Sequence, residues 1–254
     1  MKTNEQYSDR LDFWDKKNHN IRSDFILNPQ LLNLFSKVRN KKILDLGCGN
    51  GFLTRKIADF GNDVLGIDKS VSLIELAKQN KTKLRGQVNY LVGDISNLSL
   101  DYSSFDLAFA AMSFLYLDSE QFKNAFQEVS KVLSYSGKFI YADTHPANLL
   151  SSEKYSLMKY SLNDDFNYFK SSKISAEILS TDGSSFNTVY YHHSFEEIFS
   201  AAKEANLIIK EFYEPKPKSN SKNLSQLLAE QKLPSYVLMV FEKNKDYSNM
   251  LSIH

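Results

Sequence analysis

The sequence is poor in three things that would narrow its role. It has one cysteine, Cys48, in 254 residues, so no intramolecular disulfide can form and a reducing compartment is the simplest address. It has no excess of either charge: 31 Lys and Arg stand against 30 Asp and Glu, a net of +1. Such a balance gives no overall field to draw in a polyanion, which argues against nucleic acid as a partner. It also lacks any apolar run approaching the roughly 18 residues that a membrane-spanning helix needs. Even FDLAFAAMSFLYL, residues 105–117, is too short, and the opening MKTNEQYSDR leads into polar sequence rather than a secretory apolar core. A soluble, cytoplasmic protein, monomeric or homodimeric, is expected. The five histidines are scattered, and no Cys or His spacing suits a tetrahedral site. No metal is therefore expected.

What is present is an alternation. A length of 254 residues with 42% hydrophobic content suits one α/β domain carrying an insertion. Residues 1–40 carry apolar positions at helical spacing (Ile26, Leu31, Leu32, Leu34, Phe35), with Asn28-Pro29 marking a helix start. From Lys41 short apolar runs alternate with helical stretches, the signature of βαβ units. The strands read KKILDLG, NDVLGID, VNYLVGD, FDLAFAA and GKFIYAD; the helices lie at Leu53 to Phe60, Val71 to Gln79 and Ser119 to Leu133. After Pro146 the alternation stops. KISAEIL and SFNTVYY flank Thr181-Asp182-Gly183-Ser184, a turn between two alternating runs, and predict an antiparallel hairpin. A helix over SFEEIFSAAKEANL, with Phe195, Ile198, Phe199 and Ala202 on one face, then precedes LIIKEFYEP and SYVLMVFEK, whose link is too poor in helix for a parallel crossover. The expected fold is a doubly wound, Rossmann-like sheet of about seven strands, mostly parallel with an antiparallel last strand. N-terminal helices (1–40) precede a cofactor-binding core (41–146); a substrate flap (147–193) and a closing helix with the terminal strand pair (194–254) follow.

The chemistry concentrates at Ile43-Leu44-Asp45-Leu46-Gly47-Cys48-Gly49-Asn50-Gly51, where a strand runs into three alternate glycines and then a helix. Bulky side chains are missing where a ligand must approach the backbone. Dinucleotide enzymes use G-x-G-x-x-G to rest a pyrophosphate on a helix N-terminus. G-x-G-x-G with an acid two residues ahead suits a cofactor without phosphate, and disfavours a nucleotide-dependent oxidoreductase. Roughly 20 residues on, Asp68 ends the second strand, where a carboxylate can accept both hydrogen bonds of a ribose diol. Asp94 follows the third strand, where it can accept from an adenine amino group while Ile95 offers the ring an apolar face.

DLGCGNG, GID, GDI, FDLAFAAMSFLYL and VLSYSGKFIYAD, in this order from Lys41 to Pro146, resemble the successive motifs of class I S-adenosylmethionine-dependent methyltransferases. The C-terminal YHHSFEEIFSAAKEANLIIKEFYEP and LPSYVLMVFEK are similar to the last helix and paired strands of the small-molecule branch. Ser134-Tyr135-Ser136-Gly137 departs from the Pro-Gly-Gly often found before strand five. The resemblance implies S-adenosylmethionine as cofactor and S-adenosylhomocysteine as product. It implies that Asp45, Gly47 and Gly49 hold the methionine part, Asp68 the ribose hydroxyls, and Asp94 with Ile95 the adenine, with Lys69 also among the cofactor-binding residues. Ala110 and Met112 would line the sulfonium region.

A sulfonium methyl is already activated, so positioning and exclusion of water dominate and no triad is required. Where the acceptor must lose a proton, His145 past strand five and His192 or His193 past the flap are the candidate bases. Each also has a plain structural reading, His145 in a turn and His192-His193 ahead of a Ser194 helix cap. The aromatics Tyr155, Tyr160, Phe166, Tyr168, Phe169, Phe186, Tyr190 and Tyr191 can wall a pocket for an aromatic or heterocyclic acceptor, or simply pack beneath the flap. Tyr7, Phe13 and Trp14 can fold a helix over the cofactor, as in the resembling families, or pack as core. Cys48 has no histidine near it in sequence and is rejected as a nucleophile. Methylation of a small molecule at O or N is the leading expectation. The alternatives are RNA or protein methylation, which Ala110-Ala111-Met112-Ser113 does not favour, and a regulatory subunit that binds the cofactor without turnover.

Overall fold

The structure is a computed structural model that describes residues 22–80, 82–150, 158–162, 164–216 and 233–244. The Tyr7, Phe13 and Trp14 expectation, Tyr155 and most of the 216–223 loop lie outside the described residues. Helices α1 (Arg22–Phe25) and α2 (Leu27–Phe35) lead into β1 (Lys42–Leu46). Then come α3 (Phe52–Ala58), β2 (Asp63–Asp68), α4 (Val71–Gln79), β3 (Gln87–Val92), β4 (Phe105–Ala111), α5 (Ser119–Val132) and β5 (Leu133–Thr144). Beyond β5 the chain forms β6 (Met158–Ser161), β7 (Ser172–Leu179), β8 (Ser185–His192), α6 (Phe195–Glu204), β9 (Leu207–Tyr213) and β10 (Tyr236–Lys243).

Seven strands make one sheet in the order β3-β2-β1-β4-β5-β10-β9. The first five are parallel, and β10 inserts antiparallel between β5 and β9. The expected terminal pair is therefore present, with β9 as the outer strand. The order reverses next to β1, so the carboxyl ends of β1 and β4 part there; that is where a doubly wound sheet opens a crevice for a ligand.

Two apolar layers cover the sheet because its central strands are apolar on both faces, as parallel strands must be. Leu44, Leu46, Ala108, Phe139 and Tyr141 face α5 and α6, whereas Ile43, Phe109, Ile140 and Leu238 face α2 and α3. Helix α5 starts on a capping box, in which the Asp118 carboxylate accepts the Gln121 N–H and the Gln121 side chain answers the Asp118 N–H. Helix α6 starts at Ser194, as the sequence suggested. Its core face is set by Ile198, Ala201 and Ala202; Phe195 is half-buried and Phe199 faces out. The sequence grouping had put Phe199 inward, but the small residues at 201 and 202 let the helix roll closer to the sheet on their side.

Strands β6, β7 and β8 form a separate antiparallel sheet, the flap, with the predicted turn at Ser180 to Ser184. Ile174, Ala176, Ile178, Phe186, Thr188, Tyr190 and His192 alternate inward; Lys173, Ser175 and Asn187 face water. A strand buried on one face needs this period of two. The inward residues rest on Leu115 and Tyr116 in the short turn Phe114–Tyr116 that follows β4.

Candidate functional site

Three acids gather at the carboxyl edge of the sheet. Asp45 is buried in β1 and accepts a 2.6 Å hydrogen bond from the Thr54 hydroxyl of α3. Burial pushes its carboxyl up to about 7 against the pull of Thr54, and the Asp68 charge adds to the rise. Asp68, at the end of β2, accepts the Gly49 N–H at Oδ2 (2.9 Å) and the Ser70 N–H at Oδ1 (2.9 Å). Burial raises its pKa as well, opposed by these two bonds and by the charge of half-buried Lys69. Each Asp68 oxygen keeps a second acceptor site after its backbone bond, so a diol can still be taken. Asp94 lies exposed after β3; Ser96 donates both its N–H (2.8 Å) and its hydroxyl (2.7 Å) to Oδ1. Neither bond uses Oδ2.

Between these acids runs the glycine loop. Gly47 (φ +78°) packs so closely under Ser113 that a Cβ there would lie 2.3 Å from the Ser113 Cβ. Gly49 (φ +53°) is different, because a Cβ on it would meet nothing within 4 Å. The space at Gly49 is open beside the Asp68 carboxylate that accepts its N–H. S-adenosylmethionine suits this set: a carboxylate to face its amino group, a diol acceptor at Asp68 and an amino acceptor at Asp94, with no cationic cradle for phosphate.

Two of the residues expected to line the cofactor are buried. Ile95 is 8% exposed and packs with the sheet's α5-side core. The apolar residue after Asp94 is pulled inward because the chain descends there toward Leu98, whose N–H is taken by Glu128 of α5 at 3.1 Å. Ala110 is also fully packed in this core. Met112 is half-buried with φ +57°, and its N–H donates to Ala142 O at 2.8 Å.

The three histidines meet around a single pocket. It is a small cavity of about 20 Å³, partly open to solvent, between the end of β5 and the flap. Leu115, Asp143, His145, Tyr160, Tyr190 and His192 are among its walls. His145 is held at both ring nitrogens: Nδ1 accepts the Ala147 N–H (3.1 Å), and Nε2 lies 3.2 Å from the Glu214 carboxylate. Burial lowers its pKa, although Glu214 opposes the change. His193 stacks on Phe122 at 3.8 Å, with Nε2 2.9 Å from Leu117 O and Nδ1 3.1 Å from Glu197, which also accepts from the Ser119 hydroxyl (2.6 Å). His192 places Nε2 2.9 Å from Tyr168 O, and burial lowers its pKa despite that bond. Of the predicted aromatics, Tyr160, Tyr190 and Tyr191 line the pocket, Phe166 and Tyr168 pack on His192, Phe186 sits in the flap core, and Phe169 is 80% exposed.

Sequence reasoning missed Asp143 and Ser113. Asp143 ends its strand as Asp68 does, and that rule would have found it; nothing local marks Ser113.

Residues 43–137 match the family described as a methyltransferase domain. Over that stretch, less than half of its length, the chain is similar to methyltransferase domains. Among curated relatives, the ubiquinone biosynthesis O-methyltransferase of Coxiella burnetii is 31% identical over 105 residues, which span 40% of this chain and 45% of that protein. The chain thus spans about half the length of such relatives. The fold is similar to the CcbJ methyltransferase of Streptomyces caelestis (TM-score 0.69, 17% identity, 94% of this chain and 98% of that one). It is also similar to an S-adenosylmethionine-dependent methyltransferase of Mesorhizobium loti (TM-score 0.64, 21% identity, 84% and 96%). Among the described residues this domain has no helix long and apolar enough to cross a membrane, and no group of acids, histidines and cysteine that could hold a metal.

Proposed function

We propose that this protein transfers a methyl group from S-adenosylmethionine to an oxygen or nitrogen of a small-molecule acceptor seated between β5 and the flap. The observation that carries this reading is the pairing of two spaces on either side of the Phe114–Tyr116 turn: the open cradle at Gly49 among the acids, and the histidine- and tyrosine-lined pocket. Bound S-adenosylmethionine supplies an activated sulfonium methyl. The chain's own task is then to hold the cofactor, to aim the acceptor and to keep water away. Asp45 faces the amino group, Asp68 accepts from the ribose hydroxyls with Lys69 balancing its charge, and Asp94 accepts from the adenine amino group. The backbone at Gly47, Gly49, Ile95, Ala110 and Met112 lines the rest.

Where the acceptor loses a proton, His192 is the residue best set to take it. Its Nε2 faces a carbonyl and so carries the proton, which leaves the lone pair on Nδ1. Burial keeps the ring neutral. His145 has both ring nitrogens engaged, and His193 is held by Leu117 O at Nε2 and by its stack on Phe122; both serve to hold the pocket wall. Tyrosine-rich walls favour an aromatic or heterocyclic acceptor.

Calorimetric titration with S-adenosylmethionine, S-adenosylhomocysteine and NADH tests the cofactor, and binding of NADH alone would overturn it. Asp68→Ala should weaken S-adenosylhomocysteine binding by about 1–3 kcal/mol, the scale of hydrogen bonds to a charged group. An unchanged affinity in a folded variant refutes the ribose role. A labelled-methyl screen of phenols and heterocycles then tests the acceptor. His192→Ala should keep product affinity and slow transfer by roughly 10²-fold or more. Cofactor binding with no turnover on any acceptor would favour a regulatory binding subunit instead.

A further inference from the structure

Asp143 has no part in the reading above, yet it is 1% exposed and stands between its two spaces. Its Oδ2 accepts the Leu115 N–H at 3.0 Å and its Oδ1 the Thr144 N–H at 2.7 Å. Removing a carboxylate from water is costly: burial lifts the Asp143 pKa to about 7, and the N–H groups of Thr144 in β5 and of Leu115 in the 113–116 turn offset only part of that. That turn touches both halves of the site. On the cofactor side, the Ser113 hydroxyl donates to Leu46 O at 2.6 Å, and its Cβ closes on Gly47. On the other side, Leu115 packs with Ala176, Ile178, Phe186 and Tyr190 of the flap, and the Tyr116 ring meets the Tyr190 ring edge-on at 5.2 Å.

We infer that Asp143 is a positioning residue that couples the cofactor cradle to the flap by fixing the 113–116 turn to which both are attached. The inference rests on the proposed cofactor reading. A ligand that settles at Gly49 presses on a turn that has one place to be, and the flap above it is ordered by the same constraint. Without the Asp143 anchor the turn can shift, and an event on one side no longer reaches the other. Coupling of this kind is reciprocal: a flap ordered by acceptor must tighten cofactor binding to the same degree.

The test is hydrogen exchange of the full chain with and without S-adenosylhomocysteine, for wild type and Asp143→Asn. Asn keeps the size but puts an NH₂ where one oxygen accepted. Product binding should slow exchange in residues 172–192 of the wild type by about fivefold or more. In Asp143→Asn the product should still bind, within about tenfold of the wild-type affinity, but the slowing in 172–192 should vanish. A merely structural role would speed exchange throughout and leave the ligand-induced slowing intact, and that result overturns the proposal. So does a wild-type flap that does not respond to bound product. Absence of product binding to the wild type would instead sink the cofactor reading, and the coupling with it. Should Asp143→Asn not fold, Ser113→Ala carries the same test. It breaks only the link to Leu46 and should reduce the slowing, whereas an undiminished response refutes the coupling.

Discussion

Replacing Gly47 or Gly49 by alanine should separate the two jobs of the glycine loop. Both have positive φ (+78° and +53°), so alanine at either pays about 1–2 kcal/mol for the left-handed backbone. At Gly47 the new Cβ would also lie 2.3 Å from the Ser113 Cβ and 3.0 Å from its hydroxyl oxygen. Overlap of that depth forces the 113–116 turn to move and adds about 1–3 kcal/mol, for a total of about 2–5 kcal/mol. At Gly49 no atom lies within 4 Å of the new Cβ, so the fold loses only the backbone part. Product binding, however, should fall by at least about tenfold, roughly 1.4 kcal/mol or more, because the methyl group occupies the cofactor's space. Urea unfolding and calorimetric titration with S-adenosylhomocysteine measure the two effects. The double variant Gly47→Ala with Ser113→Gly removes the overlap and should recover part of the lost stability despite losing the Leu46 bond. Equal destabilisation by the two alanines, or full product affinity in Gly49→Ala, would refute the reasoning.

Asp45 gives a pH signature. Its carboxyl is raised to about 7 when folded from the usual carboxylate value, so the native state holds a proton that the unfolded chain has released. Stability from this group is full below about pH 4 and is lost as pH rises through 7, at about 1.4 kcal/mol per pH unit between 5 and 7. Asp45→Asn should make that part of the urea stability profile shallower, Asp143 and Asp68 keeping their own share, while weakening product binding; a profile parallel to the wild type's would count against the assignment. His193→Ala should lower stability by about 2–4 kcal/mol, since it opens a space against Phe122 and strips Leu117 O and Glu197 of a partner. A loss under about 0.5 kcal/mol in thermal or urea unfolding would show that the ring is dispensable.

Much of the fold was legible because parallel strands and amphipathic helices repeat with periods the chain carries locally. Each strand from β1 to β4 falls within two residues of its predicted run, and α4 spans Val71–Gln79 as read. The flap hairpin was legible from alternation on both sides of Asp182-Gly183. Helix rotation was less so: Phe199 has the right spacing for a core face, but the sheet's shape favours Ala201 and Ala202.

The site divides in the same way. Gly47, Gly49, Asp45, Asp68 and Asp94 could be picked out along the chain, because the backbone needs of a strand-to-helix loop and the acids at strand ends are local facts. Which acid faces a ligand is a matter of burial and of neighbours brought from elsewhere. Ile95 turned into the core, and Asp143 was claimed by the N–H of Leu115, 28 positions away in sequence. The three histidines were equivalent as letters. Only the packing of β5, β8 and α6 around one pocket engaged both nitrogens of His145, stacked His193 on Phe122 and set the His192 Nε2 against Tyr168 O. The sequence alone determined the order of elements and the chemistry available at each strand end, since both follow from local periodicity and residue type. Tertiary structure decided which groups are desolvated, which lone pairs remain open and which turn joins the two spaces, because those depend on contacts between residues far apart in the chain.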